Sequence, residues 1–137
     1  MKLMPRLAAI TGFSGAGKTT LIVALIRRYA AAGQRVAAIK HTHHKLNAER
    51  RGDTEKFIEA GADPVIFADA HRAVVFRRDG EPQWMSYRDP EELVPDADIV
   101  LVEGFKSHAA WPQVTIDPDR RPTVDELAAI LDRIWRS

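Results

Sequence analysis

An apolar run, RLAAIT (6–11), passes straight into glycines at 12, 15 and 17 and then into Lys18, Thr19 and Thr20. Beyond them Leu21, Ile22, Leu25, Ile26 and Tyr29 recur at three-to-four spacing up to Gly33. The first run reads as a buried strand entering a tight turn, the second as a helix that lays one face on a sheet and stops at a glycine. Gly12, four residues, Gly17, Lys18 and Thr19 satisfy G-x-x-x-x-G-K-[ST], the pattern of a loop that wraps a phosphate chain. Small residues let successive backbone N–H groups turn inward around phosphate oxygens. A side chain at Gly15 or Gly17 would fill that space or forbid the backbone angles. The expected phosphate contacts are therefore Ser14, Gly15, Ala16, Gly17, Lys18, Thr19 and Thr20. Lys18 brings a point charge to the outer phosphates, Thr19 offers a hydroxyl to Mg²⁺, and the helix points its positive dipole end at the same anion.

RVAAIK (35–40) supplies a second buried strand, so strand, helix and strand within about 35 residues form a βαβ unit with parallel strands. Residues 41–53 are polar and without period, and a short helix ending at Gly61 follows them. PVIFAD (64–69), RAVVFRR (72–78) and QWMSYR (83–88) read as short strands. The last two are joined through DGEP, where Asp-Gly signals an antiparallel hairpin. Asp89 and Pro90 open a helical turn or two, and ADIVLVEGF (97–105) gives the third parallel strand. PQVTID (112–117) is a further strand candidate. Thr123 and Glu126 form a capping box ahead of a terminal helix striped by Val124, Leu127, Ile130, Leu131, Ile134 and Trp135. The expected architecture is one α/β domain over residues 1–137. Its sheet is open and mainly parallel, flanked by helices, with a small antiparallel hairpin insertion.

A nucleotide loop of this type works with a carboxylate at the end of a neighbouring buried strand, where it orients Mg²⁺ directly or through water. Glu103 ends IVLVE and fits that place, with a backbone-capping carboxylate as the bland alternative; Asp98, at the other end of the strand, belongs to the far edge of the sheet. Asp53 stands with Thr54 before the short helix. An N-cap pair is a sufficient reading there, and a second role near the γ-phosphate arises if the preceding loop folds over the nucleotide. With Lys18 absorbing charge, either Asp53 or Glu103 is the candidate to position an attacking water, and the residues alone do not choose between them. KHTHH (40–44) lies at the carboxyl edge of the sheet. Its histidines suggest either a metal or an anion, and because a strand-to-loop segment need not converge them, Lys40, His41 and His44 are read first as phosphate or substrate contacts. Lys40 is equally a solvated strand end. No arginine finger stands out: the Arg pairs at 27–28, 50–51, 77–78 and 120–121 read first as solvated surface, with Arg50 and Arg51 the second-choice candidates for a finger.

Lys+Arg 20 against Asp+Glu 19 leaves a formal charge of +1, which gives no basis for nonspecific nucleic-acid binding. The absence of cysteine excludes disulfides and thiolate metal sites. No stretch reaches the ~18 apolar residues of a membrane span, and Pro5 and Arg6 interrupt the apolar start, so the expectation is a cytoplasmic chain.

GFSGAGKTTL, IKHTHH, DT followed by EAGA, and LVEGFK occur here in that order. With them the chain resembles the MobB family, the GTP-binding proteins of molybdopterin-guanine dinucleotide biosynthesis, over residues 6 to about 106. The resemblance implies a P-loop NTPase fold, GTP with Mg²⁺ as ligands, weak hydrolysis and a homodimer. It also implies, as partner, the molybdopterin guanylyltransferase of the MobA type. It carries phosphate contacts onto Gly15, Gly17, Lys18, Thr19 and Thr20, and motif roles onto His41, His44, Asp53 and Glu103. Where family members commonly have Gly-Lys before the Asp, Arg51 and Gly52 stand here. No N-K-x-D guanine motif is present, so the residues by themselves do not select GTP over ATP. The same loop, metal ligand and helix dipole also serve a small-molecule kinase, for which 137 residues leave little space for a lid and an acceptor site. A module keeping the loop only as an anion nest would have no use for Lys18 and Thr19.

Overall fold

A computed structural model describes residues 4–13, 15, 17–105 and 108–136. Seven strands form one sheet in the order β5-β4-β3-β2-β6-β1-β7. They are β1 (Arg6–Thr11), β2 (Val36–His41), β3 (Val65–Ala68), β4 (Arg72–Phe76), β5 (Gln83–Ser86), β6 (Ile99–Glu103) and β7 (Gln113–Thr115). Three helices accompany them: α1 (Lys18–Ala31), α2 (Asp53–Ala60) and α3 (Val124–Arg136). Strands β3, β2, β6, β1 and β7 run parallel, and β4 and β5 continue the sheet as an antiparallel hairpin. The expected open α/β sheet is thus present. One detail differs: β3 pairs in parallel with β2, so β6 follows three parallel strands rather than two.

Alternation along the central strands divides the core between the two faces of the sheet. Ile99 and Leu101 point to one face, with Ala8, Ile10, Val36 and Ala38. There they meet Leu21, Ile22, Leu25 and Ile26 of α1, Phe57 of α2, and Leu127 and Leu131 of α3. Val100 and Val102 point to the other face, where Tyr87, Leu93, Phe105 and Trp111 close over small residues such as Ala9, Ala37 and Ala68. All three helices therefore bury their apolar stripes on one face, and irregular segments cover the other.

Local chemistry explains the ends of the elements. Thr123 and Glu126 cap α3 reciprocally, each backbone N–H donating to the other's side chain at 3.1 Å. Asp89 caps the 3₁₀ turn Pro90–Leu93, with Glu92 completing the box. The N-cap of α2 is Gly52, with no side-chain hydrogen bond, so Asp53 and Thr54 do not act as the N-cap pair that the sequence alone suggests. The carboxylate of Asp53 is directed elsewhere.

Candidate functional site

Strand order decides what meets at the carboxyl edge of the sheet. Because β6 lies between β1 and β2, Glu103 sits beside Ile10 on one side and Lys40 on the other. Lys40 and Glu103 are cross-strand neighbours, and the Lys40 ammonium donates to Glu103 Oε2 at 3.2 Å and to Asp53 Oδ2. Asp53 reaches this point from the first turn of α2. The Thr19 hydroxyl, on the first turn of α1, completes the cluster at 3.1 Å from Asp53 Oδ2 and 3.3 Å from Glu103 Oε1. A single hydroxyl proton serves one of these carboxylates at a time, so the arrangement holds more acceptor capacity than donors. Asp98 lies at the opposite end of β6, where its carboxylate accepts from the Arg35 backbone N–H at 2.8 Å.

Electrostatics follow from this packing. Burial alone would lower the Lys40 pKa, but the hydrogen bond and charge of Asp53 and the charge of Glu103 outweigh it and raise the ammonium above its ordinary 10.5. Burial would likewise raise Asp53. Its bond to Lys40, the Lys40 charge and the Thr19 hydroxyl outweigh that effect and hold the carboxyl below its ordinary 3.8.

Beside the cluster the phosphate loop opens. Gly17 has φ 86° and forms the N-cap of α1 without any side-chain hydrogen bond, and the first turn of α1 contains no acidic residue. That turn leaves backbone N–H donors uncapped at a positive dipole end. The Lys18 ammonium folds back to donate to the Gly12 carbonyl at 2.6 Å, so its stem spans the loop. A cavity of about 720 Å³ joins Gly15, Gly17, Lys18 and Thr20 to Lys40, Asp53 and Glu103. His41, His43 and His44 also line it. Of the expected phosphate contacts, Gly15, Gly17, Lys18, Thr19 and Thr20 border this cavity, whereas Ser14 and Ala16 lie outside the described residues.

The histidines are placed by stacking. The chain turns through two left-handed residues after Glu103, Gly104 at φ 98° and Phe105 at φ 54°. That turn lays the Phe105 ring on His41, with centroids 4.3 Å apart. A Cβ on Gly104 would stand 3.0 Å from the His41 Cβ, so the close approach depends on glycine. Burial first, and the neighbouring His43 second, lower the His41 pKa below 6.5 against the opposing pull of Asp69. His44 is exposed, with its backbone N–H donating to the Thr42 hydroxyl at 3.0 Å. Among the described residues no group of three or more His, Cys, Asp or Glu side chains is arranged to hold a metal by itself. What the site offers a cation is a hydroxyl and two carboxylates beside a phosphate loop. These are hard oxygen donors of the kind Mg²⁺ takes when a nucleotide supplies the remaining ligands.

Residues 7–130 match the family model for MobB, molybdopterin guanine dinucleotide synthesis protein B. The chain belongs to the MobB family. Two curated relatives carry the name molybdopterin-guanine dinucleotide biosynthesis adapter protein. That of Haemophilus influenzae is 40% identical over 101 residues, 73% of this chain and 57% of its own. That of Escherichia coli is 36% identical over 108 residues, 77% of this chain and 62% of its own. The chain thus spans about three fifths of the length of the curated relatives it matches. The crystal structure of Bacillus subtilis MobB aligns with a TM-score of 0.50 and 25% identity, covering 90% of this chain and 72% of that one. The phosphate loop, the mixed sheet and the helices are therefore a MobB arrangement of the P-loop NTPase fold.

One placement was not legible in the sequence. Arg50 and Arg51 lie at the surface, as their pair suggested, where they bond Glu55 at 3.2 Å and Glu49 at 2.8 Å rather than reaching the phosphate loop. Arg121, exposed as its pair suggested, nonetheless lies over the phosphate loop. A Cβ built on Gly17 would stand only 2.5 Å from the Arg121 guanidinium carbon. Among the described residues no helix is long and apolar enough to cross a membrane.

Proposed function

We propose that this MobB chain binds GTP with Mg²⁺ at the phosphate loop and acts as an adapter in molybdopterin guanine dinucleotide biosynthesis, assisting the guanylyltransferase that attaches GMP to molybdopterin. The observation that carries the nucleotide reading is the meeting of Thr19, Asp53, Glu103 and Lys40 at the mouth of an uncapped helix N-terminus. The adapter role rests on the names of the curated relatives, and the choice of GTP rests on the motif resemblance to the MobB family.

In this reading Gly15, Gly17 and Thr20 present backbone N–H groups to the phosphates, and Lys18 turns from the Gly12 carbonyl to the outer phosphate oxygens. Thr19 and Glu103 hold Mg²⁺, which when bound neutralises charge on the phosphate chain. Asp53, held by Lys40 and Thr19 at a lowered pKa, is a weak base. It orients a water by hydrogen bonding more readily than it takes a proton, which fits slow hydrolysis. Lys40 stabilises both carboxylates, and His41 lies at the cavity wall for the bound ligand.

Calorimetric titration of GTP and ATP with Mg²⁺ tests the ligand. GTP should bind, ATP should bind more weakly, and a Lys18→Ala variant should lose both. Equal binding by that variant and its parent would remove the phosphate loop from the function. Retention of a purified molybdopterin guanylyltransferase on the immobilised protein tests the adapter role, and its passage without retardation would refute it.

A further inference from the structure

The segment between β7 and α3 closes over the phosphate loop at two points. Ile116, 2% exposed, donates its backbone N–H to the Thr11 carbonyl at 2.8 Å, and its own carbonyl would stand 2.8 Å from a Cβ placed on Gly12. The chain then turns at Asp117, whose carbonyl accepts from the Arg120 N–H at 3.0 Å, and enters α3 through the Thr123 capping box. Arg121 stands between these anchors. A Cβ on Gly17 would meet its guanidinium carbon at 2.5 Å, Nη1 at 2.6 Å and Nε at 2.7 Å.

This is an unfavourable place for a lone cation. Gly17 opens α1, so the guanidinium faces the positive end of a helix that has no acid in its first turn. Lys18 is the next residue. Among the described residues no carboxylate ion pair offsets the Arg121 charge. Arg121 is exposed and could extend into water, which would relieve both repulsions, yet its guanidinium lies at the loop. A phosphate chain in the loop would turn the repulsion into attraction, and the guanidinium fork suits phosphate oxygens.

Resting on the nucleotide reading above, we infer that Arg121 is a phosphate ligand of this site, a second cation that the β7–α3 segment brings to the loop at Gly17. It supplies from the same chain the charge that Arg50 and Arg51, paired with glutamates, do not.

The test uses calorimetry with Mg²⁺-GTP and with Mg²⁺-tripolyphosphate, on the parent and on Arg121→Gln, Arg121→Lys, Arg120→Gln and Lys18→Ala variants. Loss of hydrogen bonds to a charged group is expected to weaken both ligands about 10- to 100-fold in Arg121→Gln. Arg121→Lys should fall between, since it keeps the charge without the fork, and Arg120→Gln should match the parent. Without ligand, Arg121→Gln should unfold at a temperature no lower than the parent's. If Arg121→Gln binds like the parent while Lys18→Ala does not, the inference fails and the nucleotide reading stands. If the parent binds neither ligand, both fail. Weakening seen with GTP alone would put the guanidinium on base or ribose. A matching loss in Arg120→Gln would reduce the effect to overall charge, and a drop in ligand-free stability would make Arg121 structural. Each of these three results overturns the inference.

Discussion

Replacing Lys40 by methionine keeps an unbranched stem of similar length and removes one positive charge from between two carboxylates. In the parent the ammonium donates to both Asp53 and Glu103, and the three side chains retain 23%, 26% and 10% of their exposure. A hydrogen bond to a charged group contributes roughly 1.5–3 kcal/mol when well buried. Two such bonds are lost here, and Asp53 and Glu103 are left as like charges around one Thr19 hydroxyl. Water at the partly open site recovers some of that loss. The expected net destabilisation is about 2 kcal/mol, which for a urea slope of about 1.5 kcal/mol per molar lowers the unfolding midpoint by roughly 1 M. The assay is urea unfolding without nucleotide or divalent cation. Its pH dependence has a definite sign. The Asp53 pKa is depressed in the folded state, so its contribution is present above the ordinary 3.8 and disappears as pH falls through the lower folded value. The difference between parent and variant should therefore shrink in acid, where the variant's carboxylates also cease to repel each other. At the alkaline end the Lys40 contribution is present below 10.5 and is lost as pH rises through its raised folded value. Equal midpoints at neutral pH, or a gap that persists unchanged below pH 3.8, would refute the coupling of the three residues.

Two further outcomes follow from the packing. Phe57→Ala, at a fully buried position of α2, should cost about 3–5 kcal/mol in chemical unfolding, and a loss under 1 kcal/mol would mean that α2 is not anchored through this ring. His41 should titrate below 6.5 by proton NMR, its neutral form adding stability above 6.5 that is lost as pH falls through the folded value; a midpoint at or above 6.5 would contradict its burial against Phe105 and beside His43.

What could be read from the residues is whatever local chemistry encodes. The glycine rhythm of 12, 15 and 17 followed by Lys18, and the three-to-four repeat of Leu21 to Tyr29, specify strand, loop and helix without help from distant parts of the chain. The β4–β5 hairpin signalled by Asp79-Gly80 and the Thr123–Glu126 box are equally local, and both are present, the hairpin with a six-residue connection over 77–82. The direction of β3 was available but indirect. A short apolar strand looks the same whichever way it runs, and only the helix between β2 and β3 marks a parallel crossover. The Asp53 carboxylate shows the limit of local rules: Asp before a helix reads as a cap, yet here a glycine takes the cap position and the carboxylate turns to Lys40 and Thr19.

The remainder depends on sheet order, which no short window contains. That Lys40 and Glu103 both end buried strands is plain from the chain; that they stand side by side requires β6 to insert between β1 and β2. The same insertion puts β1 against β7, and that contact carries the segment after β7 over the phosphate loop. Arg121 follows Arg120 in a stretch with every local mark of solvated surface. The hydrogen bond of Ile116 to Thr11 holds that segment beside the loop, where the exposed Arg121 side chain lies at Gly17. Phosphate-loop glycines are thus legible by their own backbone needs, whereas the charges gathered around them come from wherever the topology ends a strand beside that loop.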